Sequence, residues 1–157
     1  MKRRATILAL AAALAAGTAA AATPRELALG VALGEPVGGT AKLWLDDRTA
    51  VDLGAGLSDG NAAFWGDLLV HDWGLVKQPA QGRLGGYLGL GPQLRTGGDA
   101  RFGLRTIAGV SFRARERPLE LYAEAGPLFR FTQGGHVDAV GGVGVRIFLD
   151  ARPARTP

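Results

Sequence analysis

The stretch LELYAEAGPLFRF, residues 119–131, decides how the rest of the chain is read. Taken alternately it splits into two sets. Leu119, Leu121, Ala123, Ala125, Pro127, Phe129 and Phe131 are all apolar, whereas Glu120, Tyr122, Glu124, Gly126, Leu128 and Arg130 hold every charge. A period of two places alternate side chains on opposite faces of a β-strand. At about 3.3 Å per residue the stretch extends roughly 43 Å, long for a soluble strand. Tilted by about 45°, a strand of that length spans the hydrocarbon layer of a membrane.

The same alternation continues on both sides. Leu27, Leu29, Val31 and Leu33 oppose Glu26, Ala28, Gly30, Ala32 and Gly34; after GEPVGG, read as a turn, Ala41, Leu43 and Leu45 oppose Lys42, Trp44 and Asp46. DDR then turns the chain into Val51, Leu53, Ala55 and Leu57 against Asp52, Gly54 and Gly56. Beyond SDGN, Phe64, Gly66, Leu68 and Val70 oppose Trp65, Asp67, Leu69 and His71. The longest connection, 74–82, leads to Leu84, Gly86, Leu88, Leu90, Pro92 and Leu94 against Arg83, Tyr87, Gln93 and Arg95. TGGDA precedes Phe102, Leu104, Thr106, Ala108, Val110 and Phe112, opposed by Arg105, Ser111 and Arg113. RARERP leads into the opening stretch and TQGG leads out of it. Last come Val137, Ala139, Val143, Val145, Ile147 and Leu149 against Asp138, Gly142, Gly144, Arg146 and Phe148. Eight strands joined by hairpins, an even antiparallel count, predict an all-β, up-and-down transmembrane barrel over residues 23–150.

Residues 1–22 read as a cleaved signal peptide: basic Lys2, Arg3 and Arg4, an apolar core Ile7 to Ala16, and the A-x-A site Ala20-Ala21-Ala22. A single-pass anchor is the rival, but the core is short and alanine-rich. Residues 151–157 form a short tail. Without cysteine, lipidation at a cysteine, disulfides and thiol chemistry are excluded. Cleavage would remove three of the 18 basic residues and none of the 14 acidic ones, leaving the mature chain near neutrality at +1. That balance gives nucleic-acid binding no support. The 25 glycines do not suit a packed helical domain.

Alternation does not say which face lies inside, since a soluble lipocalin-like barrel would bury the apolar set around an apolar ligand. Three features favour the membrane reading. The charged face is padded with Gly and Ala, which suits a cramped lumen. Its charges nearly cancel: Lys42, Arg83, Arg95, Arg105, Arg113, Arg130 and Arg146 against Glu26, Asp46, Asp52, Asp67, Glu120, Glu124 and Asp138. Phe64, Phe102, Phe112, Phe129 and Phe131 sit on the apolar face near strand ends, where an interfacial girdle belongs.

The runs LGEPVGGTAKLWL, DRTAVDLGAGLS, GDLLVHDW, FGLRTIAGVSF and LELYAEAGPLF resemble a family of small bacterial outer-membrane β-barrels of largely uncharacterised function. The plan is similar to the OmpA/OmpX-type eight-stranded domain. The resemblance covers essentially the whole mature chain. It implies a Gram-negative outer-membrane location, contact with outer-membrane lipid, and insertion by the barrel assembly machinery. That machinery commonly reads an aromatic residue closing the last strand. Here VGVRIFLD places Phe148 near the end, Leu149 stands where an aromatic is commoner, and ARPARTP follows.

Candidate site residues are few. Lys42, Asp52, Asp67, His71, Arg83, Arg95, Arg105, Glu120, Glu124, Arg130 and Arg146 are expected to form a structural charge network in the lumen, with Glu120 and Glu124 as counter-ions to Arg105, Arg130 and Arg146. Asp67 and His71 share a face, but four residues along a strand is roughly 13 Å, so they cannot act as an acid–base pair alone. His71 is the one plausible base for a lipid-modifying enzyme, and no serine shares its face of the strand. His71 and His136 do not make a metal motif, and no cofactor motif is present. Gly85, Gly86, Gly89 and Gly91 read as packing glycines. Trp44, Trp65 and Trp73 fall on the lumen parity as bulky plugs. Pro92 and Pro127 each remove a donor from the ladder, predicting a bulge or a missing bond. The reading is a non-enzymatic outer-membrane barrel, structural or binding through its rims.

Overall fold

A computed structural model describes residues 26–149, apart from 98–99 and 133–134. The expected leader 1–22 and tail 151–157 lie outside the described residues. The strands are β1 (Leu27–Glu35), β2 (Val37–Trp44), β3 (Thr49–Ser58), β4 (Asn61–Asp72), β5 (Gly82–Arg95), β6 (Arg101–Ala114), β7 (Leu119–Arg130) and β8 (His136–Phe148). Each pairs antiparallel with its sequence neighbour, and β1 pairs with β8 to close the barrel. The eight strands expected from alternation are the eight observed.

The register fixes the tilt. Paired residues lead from Gly30 through Thr40, Gly54, Trp65, Gln93, Gly103 and Arg130 to His136. Gly30 pairs directly with Arg146 across the closing seam, so the circuit is staggered by ten residues. With about 3.3 Å along a strand and about 4.7 Å between strands, that stagger tilts eight strands by about 41°. Twelve residues at that tilt rise roughly 30 Å, the thickness of a bilayer core.

Turn chemistry sets the hairpins. Asp59 and Gly60 have φ of 47° and 74° and join the paired residues Ser58 and Asn61, a two-residue connection whose positive φ values match the right-handed twist of the flanking strands. Between β2 and β3 the Asp46 carboxylate accepts the N–H groups of Arg48 and Thr49, both at 2.7 Å. In the 73–81 connection Gln78 donates to the carbonyls of Trp73 and Leu84 and accepts the Leu84 N–H.

The GEPVGG turn is shorter than expected. Val37, Gly38 and Gly39 belong to β2 and pair with Leu57, Gly56 and Ala55, leaving Pro36 between the strands. A Cβ at Gly38 would overlap the Ala55 carbonyl oxygen, so this glycine serves close approach of strands, not a turn. Leu45, Phe131 and Leu149 fall one residue beyond β2, β7 and β8.

Both prolines interrupt the ladder without a bulge. Between β4 and β5 pairing stops after Trp65–Gln93 and resumes at Leu68–Leu90 in the same register, skipping Pro92 and Gly91. Between β6 and β7 it stops after Arg105–Leu128 and resumes at Ala108–Ala125, skipping Pro127 and Gly126. On their other edges Pro92 pairs with Leu104 and Pro127 with Ala139.

Candidate functional site

The two faces of the wall are inverted relative to a soluble protein. The outer face carries Leu33, Leu53, Leu68, Val70, Val110 and Val143, all more than half exposed, and Leu88 at 68%. Inside, Lys42, Asp52, Asp67, His71, Arg105, Glu120 and Arg146 are no more than 1% exposed.

The interior charges form two clusters. In the first, Lys42 stands opposite Asp52 on β2 and β3, and Glu120 opposite Arg146 on β7 and β8. The ion pairs cross between these couples: Lys42 Nζ lies 2.6 Å from Glu120 Oε1, and Arg146 Nη2 lies 2.9 Å from Asp52 Oδ2. Arg146 Nη1 is also 3.5 Å from Glu120 Oε2, without a hydrogen bond. Thr40 donates to Asp52 at 2.6 Å and accepts from Arg146 at 3.2 Å. The bridge passes over β1, whose inward residues are Ala28, Gly30 and Ala32. A Cβ at Gly30 would strike Arg146, so the small face of β1 makes the room.

Arg105 on β6 organises the second cluster. Its Nη2 lies 2.7 Å from Glu124 Oε1 on β7, and its Nε 3.1 Å from Asp67 Oδ2 on β4. The latter contact is an ion pair by distance, but the N–H is poorly aimed. Arg105 Nε and both Asp67 oxygens therefore lack a hydrogen bond among the described residues. Tyr87 on β5 donates to Glu124 at 2.6 Å. Here the room comes from β5: a Cβ at Gly89 would press on Ile107 and Leu69, and one at Gly91 on the Gly66 carbonyl. Buried charges in such surroundings are tolerable only when partnered.

Below the first cluster, towards the end where β1 begins and β8 finishes, aromatic groups fill the barrel. Lys42 Nζ is 3.0 Å from His71 Nε2 and 4.4 Å from the Trp44 ring centre. As the ammonium donates to Nε2, the ring proton falls on Nδ1, 3.2 Å from the Arg48 carbonyl. Trp44, Tyr87 and Trp73 surround the His71 ring, and Phe148 points inward with Arg113 4.1 Å from its centre. Arg113 pairs with Glu26 at 2.6 Å. At the opposite end a cavity of about 310 Å³ opens, with Gln93, Leu128 and Val140 deep in it and Arg95, Arg101, Arg130, Asp59 and Asp138 around it.

Several expected network members lie elsewhere. Arg83 has lumen parity but sits at the terminal mouth, exposed, 4.5 Å over the Trp73 ring. Trp73 stands beyond the end of β4 and donates to the Asp47 carbonyl, so it caps the mouth instead of plugging the bore. Arg95 and Arg130 belong to the other mouth: Arg95 pairs with Asp59 at 2.5 Å, and Arg130 with Asp138 at 2.8 Å. Arg130 therefore takes neither Glu120 nor Glu124. Asp67 and His71 do not meet; one faces Arg105 and the other Lys42. Thr40 lies between the expected turn GEPVGG and Ala41, where the alternation begins, and extending the Lys42 parity back by two residues reaches it. Among the described residues no three metal-ligating side chains come together.

No protein-family model matches the chain, nor does any curated protein. Among solved structures it is similar to the N-terminal β-barrel domain of Pseudomonas aeruginosa OprF. The TM-score is 0.53 at 16% identity, covering 79% of this chain and 96% of that one. At that identity the likeness concerns the fold, an eight-stranded barrel.

Proposed function

We propose that the protein is a non-enzymatic barrel of the Gram-negative outer membrane, with a structural role or a partner held at its rims. One observation carries this reading: the apolar face of all eight strands is turned outward while ion-paired charges fill the bore. In water such a surface would expose far more contiguous apolar area than soluble monomers do. Outer-membrane lipid is then the solvent of the wall, and the barrel assembly machinery its route of insertion. An apolar-ligand carrier is disfavoured because the interior holds salt bridges where the ligand would lie. His71, enclosed by Lys42, Trp44 and Tyr87, is poorly placed to meet a lipid substrate. The test is fractionation of cells expressing the full chain, with extraction at high salt and at alkaline pH. Retention in the outer membrane, with gel migration that changes on boiling, supports the reading. Release into the soluble periplasmic fraction without detergent refutes it.

A further inference from the structure

We infer that the β5–β6 hairpin is a stave that opens as a unit along two proline-broken seams, with Arg105 as its clasp. Of the eight seams, only β4–β5 and β6–β7 are interrupted within a continuous register. These are the two outer edges of one hairpin. Its own ladder pairs every residue from Gly82–Ala114 to Arg95–Arg101. The two breaks share a composition, Gly91-Pro92 and Gly126-Pro127. Each proline removes an N–H on the outer seam while keeping its partner on the other edge, Leu104 or Ala139. Each preceding glycine sits where a Cβ would overlap the carbonyl oxygen across the break, that of Gly66 or Thr106.

Arg105 holds what the ladder does not. It belongs to the hairpin, and its two ion pairs reach Asp67 on β4 and Glu124 on β7, the strands beyond the two broken seams. Tyr87, on the hairpin's other strand, reaches the same Glu124. The Asp67 contact is the weaker point, since neither carboxylate oxygen receives a well-aimed hydrogen bond. Because Gln93, Arg95, Arg101 and Gly103 of this hairpin line the open mouth, its outward motion enlarges that cavity towards Arg105. Regions with fewer hydrogen bonds per residue open at lower free energy than the global unfolding transition.

Amide hydrogen exchange of the full chain, folded in lipid nanodiscs, tests the clasp. In wild type, amides bonded across β4–β5 and β6–β7 should exchange on the order of tenfold faster than those across β5–β6 or β2–β3. Arg105→Gln should speed both outer seams by a further tenfold or so, leaving the other two ladders protected. Pro92→Ala with Pro127→Ala restores the missing N–H groups and should slow the outer seams towards the β2–β3 rate. This pair keeps the test decisive if Arg105→Gln fails to fold. Equal exchange at all seams in wild type, a rise in Arg105→Gln spread through β2–β3, or no slowing in the proline variants would each overturn the inference.

Discussion

Lys42 shows how single residues set the interior energetics. Its ammonium is wholly buried, and Glu120, His71 and the Trp44 ring are its immediate partners. Removing one member of a buried pair leaves the other charge without compensation, a cost of about 3–5 kcal/mol. Lys42→Met is therefore expected to destabilise the folded barrel by that amount in urea titrations in lipid vesicles. Lys42→Met with Glu120→Gln should recover most of the loss, because no orphaned charge remains. Equal loss in the single and double variants would mean that packing, not pairing, holds this level of the bore. On the opposite face, Leu88 is 68% exposed with Gly89 beside it on the inner face. Leu88→Arg should cost about 2–4 kcal/mol if that position meets lipid near the bilayer midplane. Arg at position 89 should fail differently, by displacing Ile107 and Leu69. A fully stable Leu88→Arg protein would show that the outer face does not meet hydrocarbon.

Among the elements, strands were more legible than their ends. Period-two alternation places side chains by parity, and the inward set at Glu120, Tyr122 and Leu128 is buried as parity requires. Parity does not report height along the bore, so Arg83, Arg95 and Arg130 share the parity of Arg105 and Arg146 yet lie at the mouths. Nor does it say which charges meet across the lumen. Lys42 and Asp52 are neighbours in the sheet, but their short contacts cross to Glu120 and Arg146, a choice made by barrel closure and the small face of β1. Glycine serves turns and tight strand contacts alike, so GEPVGG does not by itself reveal that Gly38 packs against β3. The hairpins carry their own tests. Asp46, in the turn beyond β2, has its carboxyl held below the usual value of 3.8, first by the Arg48 N–H and then by that of Thr49. A depressed carboxyl stabilises the fold at pH above its unfolded value, and the contribution is lost as pH falls through the folded one. Replacing Asp46 by Ala should flatten the acid limb of the stability–pH curve below about pH 4, read from thermal melts; an unchanged limb would exclude the turn. At Gly60, φ of 74° is costly for an L-residue, so Gly60→Ala should lose about 1–2 kcal/mol, and Gly60→Asn less.

For the whole molecule, the stagger of ten residues over eight strands fixes a bore about wide enough for side chains alone. What fills it varies with depth. The mouth at the β3–β4, β5–β6 and β7–β8 hairpins is open as the 310 Å³ cavity, below which lie the Arg105 cluster, the crossed pairs of Lys42, Glu120, Arg146 and Asp52, and then the aromatic layer around His71. A barrel so filled is a cup and not a tube. An ion crossing it would have to separate pairs whose members are no more than 2% exposed, and pass between stacked rings with little water to replace the lost contacts. Each separation carries a penalty of several kcal/mol in such surroundings, which suppresses passage far more than narrowing alone would. Purified wild type in planar bilayers is therefore expected to show no steady channel. Glu120→Ala with Lys42→Ala, which removes the central bridge and its bulk together, should be the first variant to admit small ions. Reproducible conductance steps from the wild type would mean that the charges line a pore, and the crossed pairs would then have to be transient contacts of a hydrated wall.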